Sequence, residues 1–265
     1  MGKVITITSG KGGVGKTTAT ASLGVALAMQ GRKVVVVDTD IGLRNLDMIM
    51  GLENRVVYNL VDVAEGSCPL SKALVRDKHV SGLYLLPAAQ TRYKEDITPE
   101  DLVRICDELR KEFDFILIDS PAGIEQGFRN ALAPADEVLV ITTPEVASVR
   151  DADRVIGLVE TADKGPIRLL INRLDPARVR HGEMLGQEDV IEVLAVELMG
   201  IIPEDEEVLI CANKGVSVAL NGGTPAGLAY QNIARRFLGE SVPFTTLGKM
   251  PGLLERLIRL IQFAS

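Results

Sequence analysis

The segment SGKGGVGKTT at residues 9–18 constrains this chain most, because it joins an apolar, strand-like run to a helix through a glycine-rich loop. It fits the pattern G-x-x-x-x-G-K-T from Gly10 to Thr17, in which backbone N–H groups surround a phosphate at a helix N-terminus. The complete pattern between a strand and a helix predicts a phosphate-binding loop and not an ordinary turn. The loop also carries Lys11, five positions before Lys16, and one nucleotide rarely needs two lysines from one loop.

Short apolar runs alternate with longer segments of helical period along the whole chain. Continuous Val, Ile and Leu runs between helices are typical of a parallel sheet that is covered on both faces. The sequence therefore predicts an α/β fold, a single-domain P-loop NTPase with a mostly parallel sheet of about seven or eight strands and helices on both faces. The predicted strands are 4–8, 33–38, 83–88, 113–119, 137–143, 167–172 and 197–203, and the predicted helices include 16–30, 99–111, 145–161 and 225–238.

Composition argues against several classes of protein. A net charge of -7 over 265 residues disfavours non-specific binding to nucleic acid. The three cysteines, Cys68, Cys106 and Cys211, are widely separated, so they predict neither a disulfide framework nor a thiolate metal site. No secretory signal is recognisable at the N-terminus, and no run approaches the ~20 apolar residues of a membrane-spanning helix. These features predict a cytoplasmic protein.

Polar residues end the predicted strands, at the edge where ligands bind in such sheets. They are Asp38, Asp40, Asp119, Asn172 and Arg173. A carboxylate directly after a buried strand suits Mg²⁺, which prefers hard oxygen ligands, and Thr17 adds a hydroxyl from the loop. Each residue alone could be a turn residue or a surface side chain. Together they favour a nucleotide site with magnesium.

The segment KGGVGKTT resembles the deviant phosphate loop of a large ATPase family that includes ParA partition ATPases, the nitrogenase iron protein and the MinD division-site ATPases. Three further segments are similar to the MinD branch in particular, and the resemblance covers essentially the whole chain. They are DTDIGLRNLDMIMGLENR (38–55), LIDSPAGIE (117–125) and TTPEVASVRDADRVIGL (142–158). The resemblance implies an enzyme that hydrolyses ATP with Mg²⁺.

The resemblance also implies a use for the second lysine of the loop. In this family the lysine at the position of Lys11 reaches across a nucleotide-sandwich dimer to phosphates that the other subunit binds, while Lys16 serves its own subunit. Asp40 would orient the attacking water, so Lys11, Lys16 and Asp40 are the candidate catalytic residues. The implied magnesium set is Thr17, Asp38 and Asp119.

Contacts with the nucleotide follow from the same resemblance. Asn172 and Arg173 would contact adenine, and the IPED stretch would close the base pocket. The predicted nucleotide-binding residues are Gly10, Lys11, Gly12, Gly13, Val14, Gly15, Lys16, Thr17, Thr18, Asn172, Arg173, Pro203, Glu204 and Asp205.

The C-terminal stretch PGLLERLIRLIQF (251–263) carries an apolar arc of helical period. The arc comprises Leu253, Leu254, Leu257, Ile258, Leu260 and Ile261. A helix of this length is ~20 Å long, too short to cross ~30 Å of hydrocarbon but suited to lie on a membrane surface. Docking on the protein's own core or on a partner helix is the alternative. The predicted organisation is an ATPase domain over 1–238, a flexible linker over 239–250 and a membrane-targeting helix over 251–265.

The resemblance implies a function in placing the division septum. An ATP-bound homodimer on an anionic membrane would recruit MinC, the inhibitor of division-ring assembly, and hydrolysis activated by MinE or another positioning factor would release it. The implied location is the bacterial cytoplasm, peripheral on the cytoplasmic face of the inner membrane. The partner surface is predicted around Arg44 and the helix that bears Ser148, Arg150, Asp151 and Asp153.

Other functions share the same active site. A ParA-like partition ATPase would need a basic DNA-binding face, against which the acidic charge and the apolar tail argue. A flagellar-placement ATPase could carry a similar tail. A nucleotide-gated scaffold with little hydrolysis would differ in its release of phosphate. No nucleic acid is expected among the partners.

Overall fold

The computed structural model describes residues 1–92 and 96–244. Their strands are β1 (Lys3–Thr8), β2 (Val34–Asp38), β3 (Val75–Arg76), β4 (Leu83–Leu86), β5 (Phe115–Asp119), β6 (Glu137–Thr142), β7 (Ile167–Leu174) and β8 (Glu197–Pro203). Within the described residues these strands form one sheet in the order β3-β4-β2-β5-β1-β6-β7-β8. Only the pairing of β3 with β4 is antiparallel among the described pairs.

Helices cover both faces of this sheet. They are α1 (Lys16–Met29), α2 (Leu46–Ile49), α3 (Leu60–Ala64), α4 (Leu70–Ala73), α5 (Pro99–Leu109), α6 (Gln126–Leu132), α7 (Val146–Thr161), α8 (Pro176–Arg180), α9 (Gln187–Leu194), α10 (Glu206–Asn213) and α11 (Pro225–Phe237), with 3₁₀ turns at Glu53–Arg55 and Val218–Leu220. The predicted α/β class, parallel sheet and two helical layers are confirmed.

The strand β2 illustrates why the apolar runs are continuous. Val34 and Val36 pack into the core that includes α1 and α11, whereas Val35 and Val37 pack into a second core with α3 and α5. Successive side chains of a strand point to opposite faces, so a sheet buried on both faces needs an apolar residue at every position. The helices therefore cover the sheet completely at its centre.

The sheet order sets the position of the candidate site. β1 lies between β5 and β6, and β2 pairs with the other side of β5. In this register Asp38 pairs with Asp119, and Ile7 of β1 also pairs with Asp119. The two carboxylates therefore lie side by side where β1 ends and the glycine-rich loop begins.

The chain after α11 folds back onto that helix over residues 239–244. Glu240 forms an ion pair with Arg235, and Arg236 donates hydrogen bonds to the carbonyl oxygens of Val242 and Pro243. The remainder of the predicted linker and the predicted membrane helix, with Leu253, Leu254, Leu257, Ile258 and Ile261, lie outside the described residues. No helix among the described residues is long and apolar enough to cross a membrane.

Candidate functional site

The glycine-rich loop runs from the end of β1 to the N-terminus of α1. Gly13 and Gly15 have φ values of +79° and +95°, a region that side chains other than glycine rarely adopt. Gly15 is the N-cap residue of α1, so the unpaired N–H groups of the first helical turn face the loop. The loop thus has the backbone geometry and the helix dipole that favour a bound phosphate.

Close contacts on two sides fix the loop. A Cβ atom at Gly10 would lie 2.3 Å from the backbone oxygen of Asp151 in α7, and a Cβ at Gly15 would lie 2.3 Å from Nδ2 of Asn172. Asn172 is buried, and its Nδ2 donates a hydrogen bond to the carbonyl oxygen of Val14 at 2.7 Å. In this structure the amide of Asn172 therefore supports the phosphate loop, and its contact with adenine stays a prediction.

The two lysines of the loop lie in different environments. Lys16 is buried at the start of α1, whereas the side chain of Lys11 is 44% exposed. Nζ of Lys11 lies 3.5 Å from Oε2 of Glu145, which is itself 60% exposed. Exposed ion pairs of this kind contribute at most ~1 kcal/mol. Lys11 is therefore weakly held and can be redirected by a stronger anion.

The carboxylates of Asp38 and Asp119 lie directly beneath this loop. Asp38 accepts hydrogen bonds from the backbone N–H groups of Asp40 at 2.9 Å and Leu46 at 3.3 Å. Oδ1 of Asp119 accepts one from the hydroxyl of Thr20 at 3.1 Å. Oδ2 of Asp119 is buried and accepts no hydrogen bond from the described residues. An unpaired buried carboxylate oxygen is costly unless a cation or donor binds to it.

Electrostatics also favour a cation at this position. Burial raises the pKa of Asp119, although Lys16 and the nearby hydroxyls of Thr17 and Thr20 favour its charged form. Burial, followed by the charge of Asp119, raises the pKa of Asp38 to about 8. Two buried carboxylates side by side oppose each other's ionisation, and a divalent cation held by them would favour their charged forms.

The chemistry of the predicted magnesium residues therefore fits this ion, because Thr17 offers a hydroxyl oxygen and Asp38 and Asp119 offer carboxylate oxygens. No group of three or more His, Cys, Asp or Glu side chains within 1–92 and 96–244 is arranged to hold a metal. A hydroxyl, water and phosphate oxygens would have to complete the coordination. Mg²⁺ is commonly bound in this way, through one or two carboxylates and the phosphates of a substrate.

The loop opens onto a cavity of about 1210 Å³, larger than a typical small-molecule pocket of ~300–1,000 Å³. Asp40 and Arg173 line it, and their contacts with water and adenine stay predictions. A further group of residues, not singled out from the sequence, lines the same cavity. This group comprises Asn45, Gly51, Asn54, Lys78, Gln90 and Lys214. Asn45, Gly51 and Asn54 lie within the segment 38–55, whereas Lys78, Gln90 and Lys214 come from separate parts of the chain that no motif marks.

The predicted adenine contacts at Pro203, Glu204 and Asp205 do not line this cavity, and the segment Ala212–Gly215 lies there. Asp205 instead caps α10 by accepting the N–H of Glu207, and it also accepts the N–H of Ala226 at the start of α11. These contacts give Asp205 a structural function. The adenine contact of the stretch stays a prediction.

The predicted partner surface on α7 is wrong for Ser148. This residue is buried because it lies on the apolar face of the helix. Its hydroxyl accepts a hydrogen bond from the hydroxyl of Thr143 at 2.8 Å. Arg150 and Asp153 are exposed, and Asp151 is half-buried.

Arg44, the other part of that surface, has a φ of +47° and lines the nucleotide cavity. Its Nε donates to the buried carboxylate of Asp47 at 2.6 Å, and its side chain is only 17% exposed. Little of Arg44 is therefore available to a partner.

Comparisons with known proteins agree with this geometry. Residues 5–218 match the family described as the CobQ/CobB/MinD/ParA nucleotide binding domain. The septum site-determining protein MinD of Synechocystis sp. is 53% identical, over 92% of each chain. In the MinC:MinD cell division protein complex of Aquifex aeolicus, the matching chain has a TM-score of 0.87 at 48% identity, covering 93% of this chain and 100% of that one. The septum site-determining protein MinD complexed with Mg-ADP from Pyrococcus horikoshii has a TM-score of 0.81 at 31% identity, covering 89% and 96%.

Proposed function

This chain belongs to the MinD family of septum site-determining proteins, and on that premise we propose that it is an ATPase that recruits MinC to the membrane in its ATP-bound state. The relative from Aquifex aeolicus forms a MinC:MinD complex, and the relative from Pyrococcus horikoshii is complexed with Mg-ADP. A ParA-like partition function is not favoured, since curated MinD proteins match at about half identity over nearly the whole chain.

The proposed site binds ATP through the loop of residues 10–18. Backbone N–H groups of the loop and of the first turn of α1 surround the phosphates, and buried Lys16 supplies a fixed positive charge. Thr17, Asp38 and Asp119 would hold Mg²⁺, which when bound neutralises phosphate charge. Asp40, which lines the cavity, orients the attacking water. Hydrolysis then returns the protein to its released state.

The environment of Lys11 is the observation that carries the proposal. Its ammonium group is exposed at the loop and engaged only by the weak pair with Glu145 among its described ion pairs. A phosphate chain bound in a second subunit carries more negative charge than Glu145 and would be less exposed to solvent. It would therefore attract Lys11 more strongly. ATP would thereby link two copies of the chain. ADP lacks the γ-phosphate that this contact needs.

Attachment to the membrane is proposed to depend on the dimer. One short amphipathic helix binds a lipid surface weakly, whereas two helices on one particle bind with an avidity that can be ~10² higher. The proposed tail over 251–265 would thus attach the ATP-bound dimer and release the monomer. MinC bound to the dimer would follow it to the membrane.

Vesicle sedimentation with MinC from the same organism tests this function. MinC should sediment with anionic vesicles only when this protein, ATP and Mg²⁺ are all present. Lys11→Ala should abolish sedimentation. Lys33→Ala should leave it unchanged, because Lys33 is similarly exposed and paired with Glu112 but lies away from the loop. Equal sedimentation of MinC with ADP and ATP would contradict the proposal.

A further inference from the structure

Residues 239–244, which follow α11, are held against that helix by several contacts. Gly239 has a φ of +85° and turns the backbone. The N–H of Glu240 donates to the carbonyl oxygen of Arg235 at 3.0 Å, and the carboxylate of Glu240 pairs with the Arg235 side chain at 2.7 Å. This pair is exposed and contributes little to stability. A second contact must fix the residues beyond it.

That contact is the guanidinium of Arg236, which joins the outgoing chain to the sheet. Its Nε donates to the carbonyl oxygen of Val242 at 2.9 Å, and its Nη2 donates to that of Pro243 at 2.8 Å. Its Nη1 donates to the carbonyl oxygen of Met199 in β8 at 3.1 Å. The ring of Phe244 lies 4.2 Å from the guanidinium carbon. Every nitrogen of the planar group is used, which a lysine could not reproduce.

The strand β8 is built to receive this contact. It is the last strand on its side of the sheet, where unpaired backbone groups need partners. Leu198 and Gly200 pair with β7, and the register shifts between them, so Met199 lies in a bulge. A Cβ at Gly200 would lie 2.3 Å from Ile233. The glycine therefore lets α11 approach β8 closely enough for Arg236 to reach the strand.

The position of this contact matters for the function. β8 runs parallel to β7, and β7 runs parallel to β6 and β1, so its carboxyl end at Pro203 lies on the same side of the sheet as the phosphate loop. Met199 lies four residues before that end, about 13 Å away at ~3.3 Å per residue. The contact of the outgoing chain with β8 therefore lies in the half of the strand that is remote from the phosphate loop.

We propose that Arg236 is a positioning residue that fixes the point at which the C-terminal segment leaves the domain. The inference rests on the proposed membrane function of that segment. Each copy in an ATP-bound dimer would present its tail from the same edge of β8. Release of residues 240–244 would lengthen the connection to the tail, and effective concentration falls as roughly the −3/2 power of connector length. The loss of avidity should be about two-fold.

Limited proteolysis of the full chain tests the fixation directly. Chymotrypsin should cleave after Phe244 at least ~tenfold faster in Arg236→Lys than in the unaltered protein, because cleavage requires local opening of the bound backbone. Arg235→Lys is the matched control, since it keeps the charge, neighbours Arg236 and affects only the exposed pair with Glu240. Mass spectrometry identifies the fragment that ends at Phe244. Equal cleavage rates in the two variants would overturn the proposal.

Vesicle binding then tests the positioning role. With ATP and Mg²⁺, Arg236→Lys should still dimerise by light scattering but need about two-fold more anionic lipid for half-maximal sedimentation than Arg235→Lys. Unchanged lipid dependence despite faster cleavage would overturn the positioning role. If the unaltered protein does not sediment with ATP, the membrane function is contradicted, and the protease comparison still decides whether Arg236 fixes the chain.

Discussion

Gly10→Ala should destabilise the protein through a steric clash between the phosphate loop and α7. The added Cβ would lie 2.3 Å from the backbone oxygen of Asp151, 2.5 Å from its carbonyl carbon and 2.8 Å from its Cβ. Ordinary contacts between such atoms begin near ~3.4 Å, so loop and helix must separate by roughly 1 Å. Backbone atoms oppose the new methyl group, and a change of side-chain rotamer cannot relieve the contact.

Overpacking of this kind typically costs ~1–3 kcal/mol. In a chain of this size that corresponds to a fall of roughly 2–10 °C in Tm. The loop N–H groups would also be displaced from the position of a bound phosphate, so nucleotide affinity should fall. Thermal unfolding without nucleotide and titration with a fluorescent ATP analogue measure the two effects.

Gly12→Ala is the matched control within the same loop. Its Cβ would meet only the Cβ of Ala122 at 3.9 Å, an ordinary contact, and Gly12 does not have a positive φ. Its Tm without nucleotide should therefore match that of the unaltered protein. Equal Tm values for Gly10→Ala and Gly12→Ala would refute the steric reasoning.

Three further predictions concern charged groups. Asp119→Asn should keep or raise Tm without nucleotide, because burial raises the pKa of Asp119 and so disfavours its charged form. The same variant should lose the gain in nucleotide affinity that Mg²⁺ gives the unaltered protein. A retained magnesium effect would exclude Asp119 from the metal site. Asp40→Ala should still dimerise with ATP but release phosphate much more slowly, and loss of nucleotide binding would instead indicate a structural role. Partial burial opposes ionisation of Asp136, but hydrogen bonds from Arg110 and the N–H of Val4 lower its pKa below 3.8. The contacts of ionised Asp136 therefore stabilise the folded protein by ~1 kcal/mol, a value for a part-exposed group. This contribution is complete above ~pH 4 and is lost as pH falls through the lowered pKa. The difference in unfolding free energy between the protein and Asp136→Asn should shrink over that range, and a constant difference would disprove the assignment.

The sheet could be predicted from sequence because its central strands are apolar at every position. Val34–Asp38 must fill the cores on both faces, which leaves a continuous run that is easily recognised. β3 has only two residues, Val75–Arg76, and such a short segment carries no periodic signal. The apolar pattern also does not define where a strand ends, and β7 continues to Leu174, beyond its predicted end at residue 172.

The phosphate side of the site was predictable because a local motif encodes it. Its surroundings were not, because they depend on tertiary contacts. The resemblance implies an adenine contact for Asn172, which stays a prediction, whereas its hydrogen bond to Val14 joins residues far apart in sequence and has no local signal. Ser148 belongs to the apolar face of α7 despite its hydroxyl, which bonds to Thr143. Polar type alone did not distinguish that buried position from a surface one.

We expect ATP to join two copies of this chain through Lys11, and the mass of the full chain in solution decides whether it does. Multi-angle light scattering without lipid should give a dimer with ATP and Mg²⁺ and a monomer with ADP and Mg²⁺. Lys11→Ala should remain monomeric with ATP while still binding the nucleotide, whereas Lys33→Ala should dimerise normally. The same mass with ATP and ADP, or a dimer that persists in Lys11→Ala, would contradict a dimer that ATP and Lys11 hold together.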